Sequence, residues 1–141
     1  MNISFSDVGN VASILGFSLT IIILLLIKRI KSFYIFRIRV PEISIRLQTI
    51  VSNISSLMND YESSHYSIDI EVAKCEIALK SLRKKISGSA KKSVKELIEK
   101  LYYYQKNQEN KTENNIRNIY VEALKIIEEI KEIQEDYKWE R

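Results

Sequence analysis

The sequence is poor in the residues that turns, disulfides and metal sites require. Its 141 residues include three glycines, one proline, one cysteine and one histidine. Sandwiches, barrels and hairpin-rich sheets need frequent glycine and proline at their turns, so these folds are excluded. The single cysteine excludes a disulfide framework and a multi-cysteine zinc site, and the single histidine argues against a histidine-based metal site. The composition therefore predicts an all-α protein.

A large excess of charge of one sign is also lacking, but the charges are unevenly placed. Lys and Arg total 22 against 18 Asp and Glu, a net charge of +4, so nucleic acid is not an expected partner. Residues 74–106 carry a net +7, whereas residues 42–71 carry −4 and residues 109–141 carry −3. The basic stretch contains a candidate docking face for an acidic partner or the bilayer, although a merely solvated face is the simpler interpretation. Its residues are Arg83, Lys84, Lys85, Lys91, Lys92 and Lys95.

Residues 8–27 form a long run without any charged residue. Fourteen of the 20 residues are apolar, and they show no amphipathic period. Twenty helical residues span about 30 Å, the thickness of a bilayer core, so we predict a transmembrane helix. A cleaved secretory signal is the alternative, but it requires basic residues before the run and a small-residue cleavage motif after it. This sequence has neither, which favours a retained anchor.

The basic residues that follow the apolar run predict its orientation. No Lys or Arg precedes Lys28, so the positive-inside bias places residues 1–7 outside and residues 28–141 in the cytoplasm, as in a bacterial inner membrane. Residues 28–40, here called the basic-aromatic collar, interleave cations with rings. That mixture fits the lipid headgroup layer, so the bilayer and its anionic headgroups are expected partners. The interfacial residues are Lys28, Arg29, Lys31, Phe33, Tyr34, Phe36, Arg37 and Arg39.

Small residues recur on two stripes of the predicted span. Ala12, Gly16 and Thr20 are spaced by four residues, as are Gly9 and Ser13. This spacing lets two helices approach closely in lipid, so it is compatible with self-association. Such residues are also common in spans that have no partner.

Residues 41–141 are predicted to form a cytoplasmic helical domain that begins at Pro41. Apolar residues recur there in steps of three and four, which predicts amphipathic helices over about 42–62, 68–86, 90–105 and 113–138. The polar interval 63–67 is interpreted as a turn, with a stutter in one long helix as the alternative. We expect a coiled-coil-like bundle or two helical hairpins, and the pattern does not separate an intramolecular bundle from an oligomer. The four apolar seams comprise Ile43, Leu47, Ile50, Ile54, Leu57 and Tyr61; Ile68, Val72, Cys75, Leu79, Leu82 and Ile86; Ala90, Val94, Leu97, Leu101 and Tyr104; and Ile116, Ile119, Ala123, Ile126, Ile130, Ile133 and Tyr137.

No motif of a catalytic, metal or cofactor site is present in the sequence. His65 lies in the predicted turn and Cys75 in an apolar seam, where a cysteine behaves as a small apolar residue. We therefore expect a protein that is not an enzyme and has no cofactor: a single-pass membrane-anchored interaction or scaffold protein. It would present its helical domain to a protein partner or to itself. The alternative is a small membrane-active effector, pore-forming or holin-like, that oligomerises through its transmembrane helix.

Overall fold

Helices account for every regular element of the part of the chain that the structure describes. The computed structural model describes the backbone of residues 5–139 and the side chains of residues 13–31, 34–35 and 37–136. The all-α prediction is confirmed for these residues. The α-helices are α1 (Phe5–Tyr34), α2 (Val40–Leu57), α3 (Tyr61–Arg83), α4 (Gly88–Lys106) and α5 (Glu113–Trp139), and three short segments are a π-helix at Ile35–Arg39 and 3-10 turns at Met58–Asp60 and Gln108–Asn110.

The chain divides into two units between Ile35 and Phe36. The first unit contains α1, and the second contains α2–α5. Near the division, the π-helical segment Ile35–Arg39 directly precedes α2, whose first turn contains Pro41. Proline lacks the N–H that would bond to the carbonyl four residues earlier, and its ring crowds that carbonyl. A wider π turn relieves this crowding, so Pro41 opens α2 as the sequence predicted.

Helices α2–α5 form an up-down-up-down bundle within one chain. Contacts join α2 to α3, α3 to α4, α4 to α5 and α5 back to α2, which closes the ring of four helices. The core consists of the apolar seams: the seam residues are buried except Ile43, Leu57, Tyr61 and Ile133, which are half-buried, and Tyr137, which lies outside the described side chains. Each helix thus buries one stripe, as amphipathic helices of a bundle do.

The break between α2 and α3 lies earlier than the sequence predicted. It falls at Met58–Asp60, where Asp60 has a non-helical conformation (φ −135°, ψ 69°), and residues 63–67 are helical. Tyr61 and Ile68 are seven residues apart, which is two helical turns, so one helix places both on the same face. Polar residues in this stretch, including His65, occupy the solvent side of α3. The polar interval therefore reflects an exposed face and not a turn.

Polar contacts stabilise the end of the bundle at which the connections 58–60 and 107–112 lie. The hydroxyl of Tyr61 donates to the carbonyl oxygen of Lys111 (3.0 Å), and the ammonium of Lys111 pairs with the carboxylate of Asp69. The interval between the predicted helices 90–105 and 113–138 corresponds to residues 107–112, because α4 continues to Lys106 and α5 begins at Glu113.

Candidate functional site

A groove lined by five cations runs between the end of α3 and the start of α4. It has a volume of about 550 Å³. Two cations come from the end of α3 and the residue after it, and three come from the first two turns of α4. Among the described residues that line the groove, none is acidic. The lining residues of this basic groove are Arg83, Lys84, Gly88, Lys91, Lys92 and Lys95.

The tight connection between α3 and α4 brings these cations together. The N–H of Lys85 donates to the carbonyl of Leu82 (2.8 Å) as α3 ends, and Ser87 is extended before α4 begins. Gly88 follows with φ of 69°, a left-handed conformation that glycine adopts without the steric cost of a Cβ. Its backbone lines the groove. The sequence predicts a left-handed glycine at this helix boundary, whereas the charge pattern that defines the docking face does not include Gly88.

The carboxylates near the basic groove neutralise it only in part. Lys92 and Lys95 face Glu96 and Glu99 of their own helix at 4.0 and 3.7 Å, and both of these pairs are well exposed to solvent. Exposed pairs of this kind contribute little. Arg83, Lys84 and Lys91 form no ion pair with a described carboxylate. The mutual repulsion of the five cations thus favours an anionic occupant.

Lys85, the sixth residue of the predicted docking face, does not line the groove. Its ammonium lies 3.3 Å from both the carbonyl oxygen and the hydroxyl oxygen of Ser81, and its side chain is half-buried. This position back along α3 gives Lys85 a local role at the helix end, where a cation also complements the helix dipole.

The opposite flank of α4 carries charges of both signs. There the hydroxyl of Ser89 donates to the carboxylate of Glu129 on α5 (2.8 Å), and Lys100 pairs with Glu122. The cleft between these helices is lined by both lysines and glutamates. The contrast shows that the basic groove is a property of the α3–α4 side of the bundle, and not of α4 as a whole.

The unit that contains α1 presents a very different surface. The segment Ser13–Lys31 has 19 residues with a mean hydropathy of 2.1, and none of it is buried. Its large apolar side chains are 42–70% exposed. The hydroxyls of Ser18 and Thr20 donate to the carbonyls of Ile14 and Gly16, each at 2.9 Å. Hydrogen bonds of this kind satisfy a polar side chain within its own helix, as an apolar surrounding requires.

The small residues of α1 are only partly within the described side chains. Ser13, Gly16 and Thr20 are exposed, and a methyl group added at Gly16 would meet no atom within 4 Å. Gly9 and Ala12 lie outside the described side chains.

The described cations of the basic-aromatic collar and its Tyr34 are exposed, whereas Ile35 is half-buried and Val40 is buried. Lys28, Arg29, Lys31, Tyr34, Arg37 and Arg39 all face solvent. Arg39 pairs with Glu42 at 3.0 Å. Phe33 and Phe36 lie outside the described side chains.

An exposed apolar strip lies on the outer side of α3. Tyr66, Ile70 and Ile77 are 79%, 40% and 60% exposed, and their spacings of four and seven residues place them on one helix face. The buried seam of α3 lies on another face. Contiguous apolar residues on the outside of a folded domain are typical of a contact surface.

The reactive side chains of the described residues do not form a chemical site. Cys75 is fully buried, and burial, together with the neighbouring Glu71 and Glu76, raises the pKa of its thiol to about 12. His65 is exposed and stacks edge-on against Tyr61, with ring centroids 4.3 Å apart. Among the described side chains, no cluster of three or more His, Cys, Asp or Glu could hold a metal ion.

A second cleft, of about 330 Å³, lies between α4 and α5 beside the 107–112 connection. Asn110 and Asn115 line it, but their amide groups already donate to the carbonyls of Tyr103 and Asn110 at 3.3 and 2.8 Å. These contacts join the ends of the two helices. The cleft is thus part of the connection between α4 and α5, and the basic groove remains the better candidate site.

No protein-family model, curated protein sequence or solved structure matches this chain. The function proposed below therefore depends on the chain's own residues.

Proposed function

We propose that the chain is a single-pass membrane-anchored interaction protein, in which α1 crosses the bilayer and α2–α5 form a cytoplasmic bundle. The bundle is presented to a protein partner or to a second copy. One observation carries this proposal: the apolar segment Ser13–Lys31 is exposed along its whole length. An apolar surface of that extent is costly in water and stable in lipid.

The charges on the two sides of α1 support an orientation with the N-terminus outside. Lys28, Arg29 and Lys31 lie at the C-terminal end of the apolar segment, and residues 1–27 contain no Lys or Arg. Cations are retained on the cytoplasmic side of a span. The exposed collar provides the contact with anionic headgroups at the inner surface of the membrane.

The bundle supports an interaction role through its surface. Its core is closed by its own four seams, so the apolar strip formed by Tyr66, Ile70 and Ile77 is not needed for folding. A folded domain that keeps such a strip in water gains from covering it with another protein surface. The proposal assigns the strip to the partner or to a second copy of the chain.

Cysteine accessibility in intact cells tests the anchoring and its orientation. Ser6→Cys and Ser87→Cys are introduced separately and treated with a membrane-impermeant maleimide. Cys75 is the internal control, because a fully buried thiol with a raised pKa reacts slowly. We expect Ser6→Cys to react in intact cells and Ser87→Cys only after the membrane is permeabilised.

Three results, from cell fractionation, from this labelling and from overexpression, would be decisive. Recovery of the chain from the soluble fraction would refute the anchor, and reaction of Ser87→Cys in intact cells would reverse the orientation. Depolarisation of the cells on overexpression, abolished by Gly16→Leu, would instead favour a pore-forming or holin-like effector that assembles through the surface beside Gly16.

A further inference from the structure

We propose that the basic groove binds acidic lipid headgroups and thereby docks one end of the bundle onto the membrane that holds α1. This proposal rests on the anchoring function proposed above, and it adds a second membrane contact to that of the collar. Three observations support it: the composition of the groove, its position in the bundle, and the length of chain that joins it to the span.

The composition of the groove fits a phosphate-bearing ligand. Five cations line it, no described lining residue is acidic, and three of the cations form no ion pair with a described carboxylate. Arginine and lysine provide directed N–H donors for phosphate oxygens. The opening of the groove to solvent suits a headgroup presented by a surface, because the rest of a lipid must remain in the bilayer.

The register of α2 against α3 fixes the end of the bundle at which the groove lies. The amide of Asn53 on α2 donates to the carboxylate of Glu71 on α3 (3.3 Å), and the two helices run antiparallel. Thirteen residues back from Asn53 is Val40, where α2 begins, and 13 residues on from Glu71 is Lys84. Equal rise along the two helices places Lys84 at the level of Val40. The groove therefore lies at the end where the chain enters the bundle.

The chain between the span and that end is short. The apolar segment ends at Lys31, nine residues before Val40. Even fully extended, nine residues reach only about 30 Å. A tether this short lets the groove end of the bundle come into contact with the membrane surface, where acidic lipids attract its cations together with those of the collar.

Energy transfer in nanodiscs tests the docking with the full chain. A donor fluorophore is attached through Ser87→Cys, beside the groove, or through Asn107→Cys, at the opposite end of the bundle; both positions are exposed, whereas Cys75 is buried. The acceptor is carried on lipid headgroups. Discs of phosphatidylcholine alone are compared with discs that also contain phosphatidylglycerol.

We expect transfer from Ser87→Cys to rise in the acidic discs and to return to the neutral value at high salt, since screening weakens surface attraction. Transfer from Asn107→Cys should not rise. Each cation near an acidic surface changes the docking equilibrium about fivefold. The double variant Lys84→Gln, Lys91→Gln should therefore lower the ratio of docked to undocked protein about 30-fold. Lys106→Gln with Lys125→Gln removes the same charge elsewhere and should leave docking intact.

Several results would overturn the proposal. The first is equal energy transfer from Ser87→Cys in both kinds of disc, and the second is an equal loss of transfer in the two double variants. The third is a change in transfer when polyglutamate is added to neutral discs, with no change when acidic lipid is present instead. The last would assign the groove to an acidic protein.

Failure of the anchor is seen separately, as a chain that does not co-elute with neutral discs. In that case, flotation with acidic vesicles, lost in the Lys84→Gln, Lys91→Gln variant and kept in the control, would still support the groove.

Discussion

Helix α1 and the bundle contain similar apolar residues but place them in opposite ways. In α1 the uncharged run from Ser13 to Ile27 carries apolar residues on all sides and is entirely exposed, whereas each bundle helix buries one stripe and exposes charges on the rest. The first arrangement needs a surrounding that is itself apolar, and the second forms its own. Under the proposed anchoring, the comparison means that one part of the chain is suited to lipid and the other to water.

The largest expected difference between the two regions comes from placing the same charge in each. Ile22 in α1 and Ile77 in α3 are 54% and 60% exposed. Ile22→Lys should reduce membrane insertion by about 3 kcal/mol, because a lysine near the middle of a span loses its hydration. Ile77→Lys should leave insertion unchanged. Partition between membrane and soluble fractions measures the effect, and equal behaviour of the two variants would remove the distinction between the regions.

The matched variant Ile77→Lys has a second use, because it alters the apolar strip of α3. Crosslinking of the intact protein in native membranes should give fewer bundle-mediated products with Ile77→Lys than with the wild type. Ile22→Lys should reduce the yield of these products only by the fraction of the protein that fails to insert into the membrane.

An intermediate effect is expected from the pH dependence of the bundle core. The Cys75 pKa rises from its ordinary 9.0 to about 12 in the folded state, so the unfolded chain loses its proton first as pH increases. The contribution of the protonated Cys75 thiol to the free energy of unfolding is therefore fully present below pH 9, and it decreases as the pH rises from 9 to 12. At about pH 10.5 the loss is about 2 kcal/mol.

Urea denaturation of the reconstituted full chain, followed by circular dichroism, measures this loss against Cys75→Ala. The variant has a lower stability at neutral pH but lacks the Cys75 titration, so the wild type should approach it as pH rises. If the free energy of unfolding of the two proteins changed with pH in parallel, the pKa of the Cys75 thiol would not be raised by folding, and water would reach this part of the core.

The smallest expected effect distinguishes Gly16 in α1 from Gly88 at the start of α4. Gly88→Ala should lower the free energy of unfolding of the bundle by about 1 kcal/mol, because φ of 69° disfavours a Cβ although no atom would clash with it. Gly88→Asn should cost less, since asparagine tolerates this conformation. Gly16→Ala should leave bundle stability unchanged. If Gly16→Ala lowered the free energy of unfolding of the bundle as much as Gly88→Ala does, the bundle would not fold independently of α1.

Much of the fold could be predicted because periodicity is a local property. The seams of α3 and α4, and the α5 seam from Ile116 to Ile130, are buried as their steps of three and four residues predicted, and Pro41 opens α2. The position of the α2–α3 break could not be predicted, because polar residues 63–67 fit both a turn and an exposed helix face. Contacts from elsewhere in the chain decided between them, including the hydrogen bond from Tyr61 to Lys111.

The candidate site was predicted in composition but not in form. The charge pattern identified five of the six residues that line the basic groove, together with Lys85, which lies apart beside Ser81. Clustering along the sequence does not specify which side chains of two joined helices point into the same space. The tight turn at Gly88 decides this, because it sets the rotation of α4 relative to the end of α3.

The sequence by itself determined the helical class, the separation of an uncharged apolar run at residues 8–27 from a charged helical domain, and most residues of the core. These follow from hydrophobic patterning, in which each residue's contribution depends on its near neighbours. Only the tertiary structure decided that four helices close into one intramolecular bundle, that residues 63–67 are helical, and that five cations share one groove at the end where α2 begins. Those features depend on contacts between residues distant in sequence, whose register is set by packing and by a few polar ties such as Asn53 to Glu71.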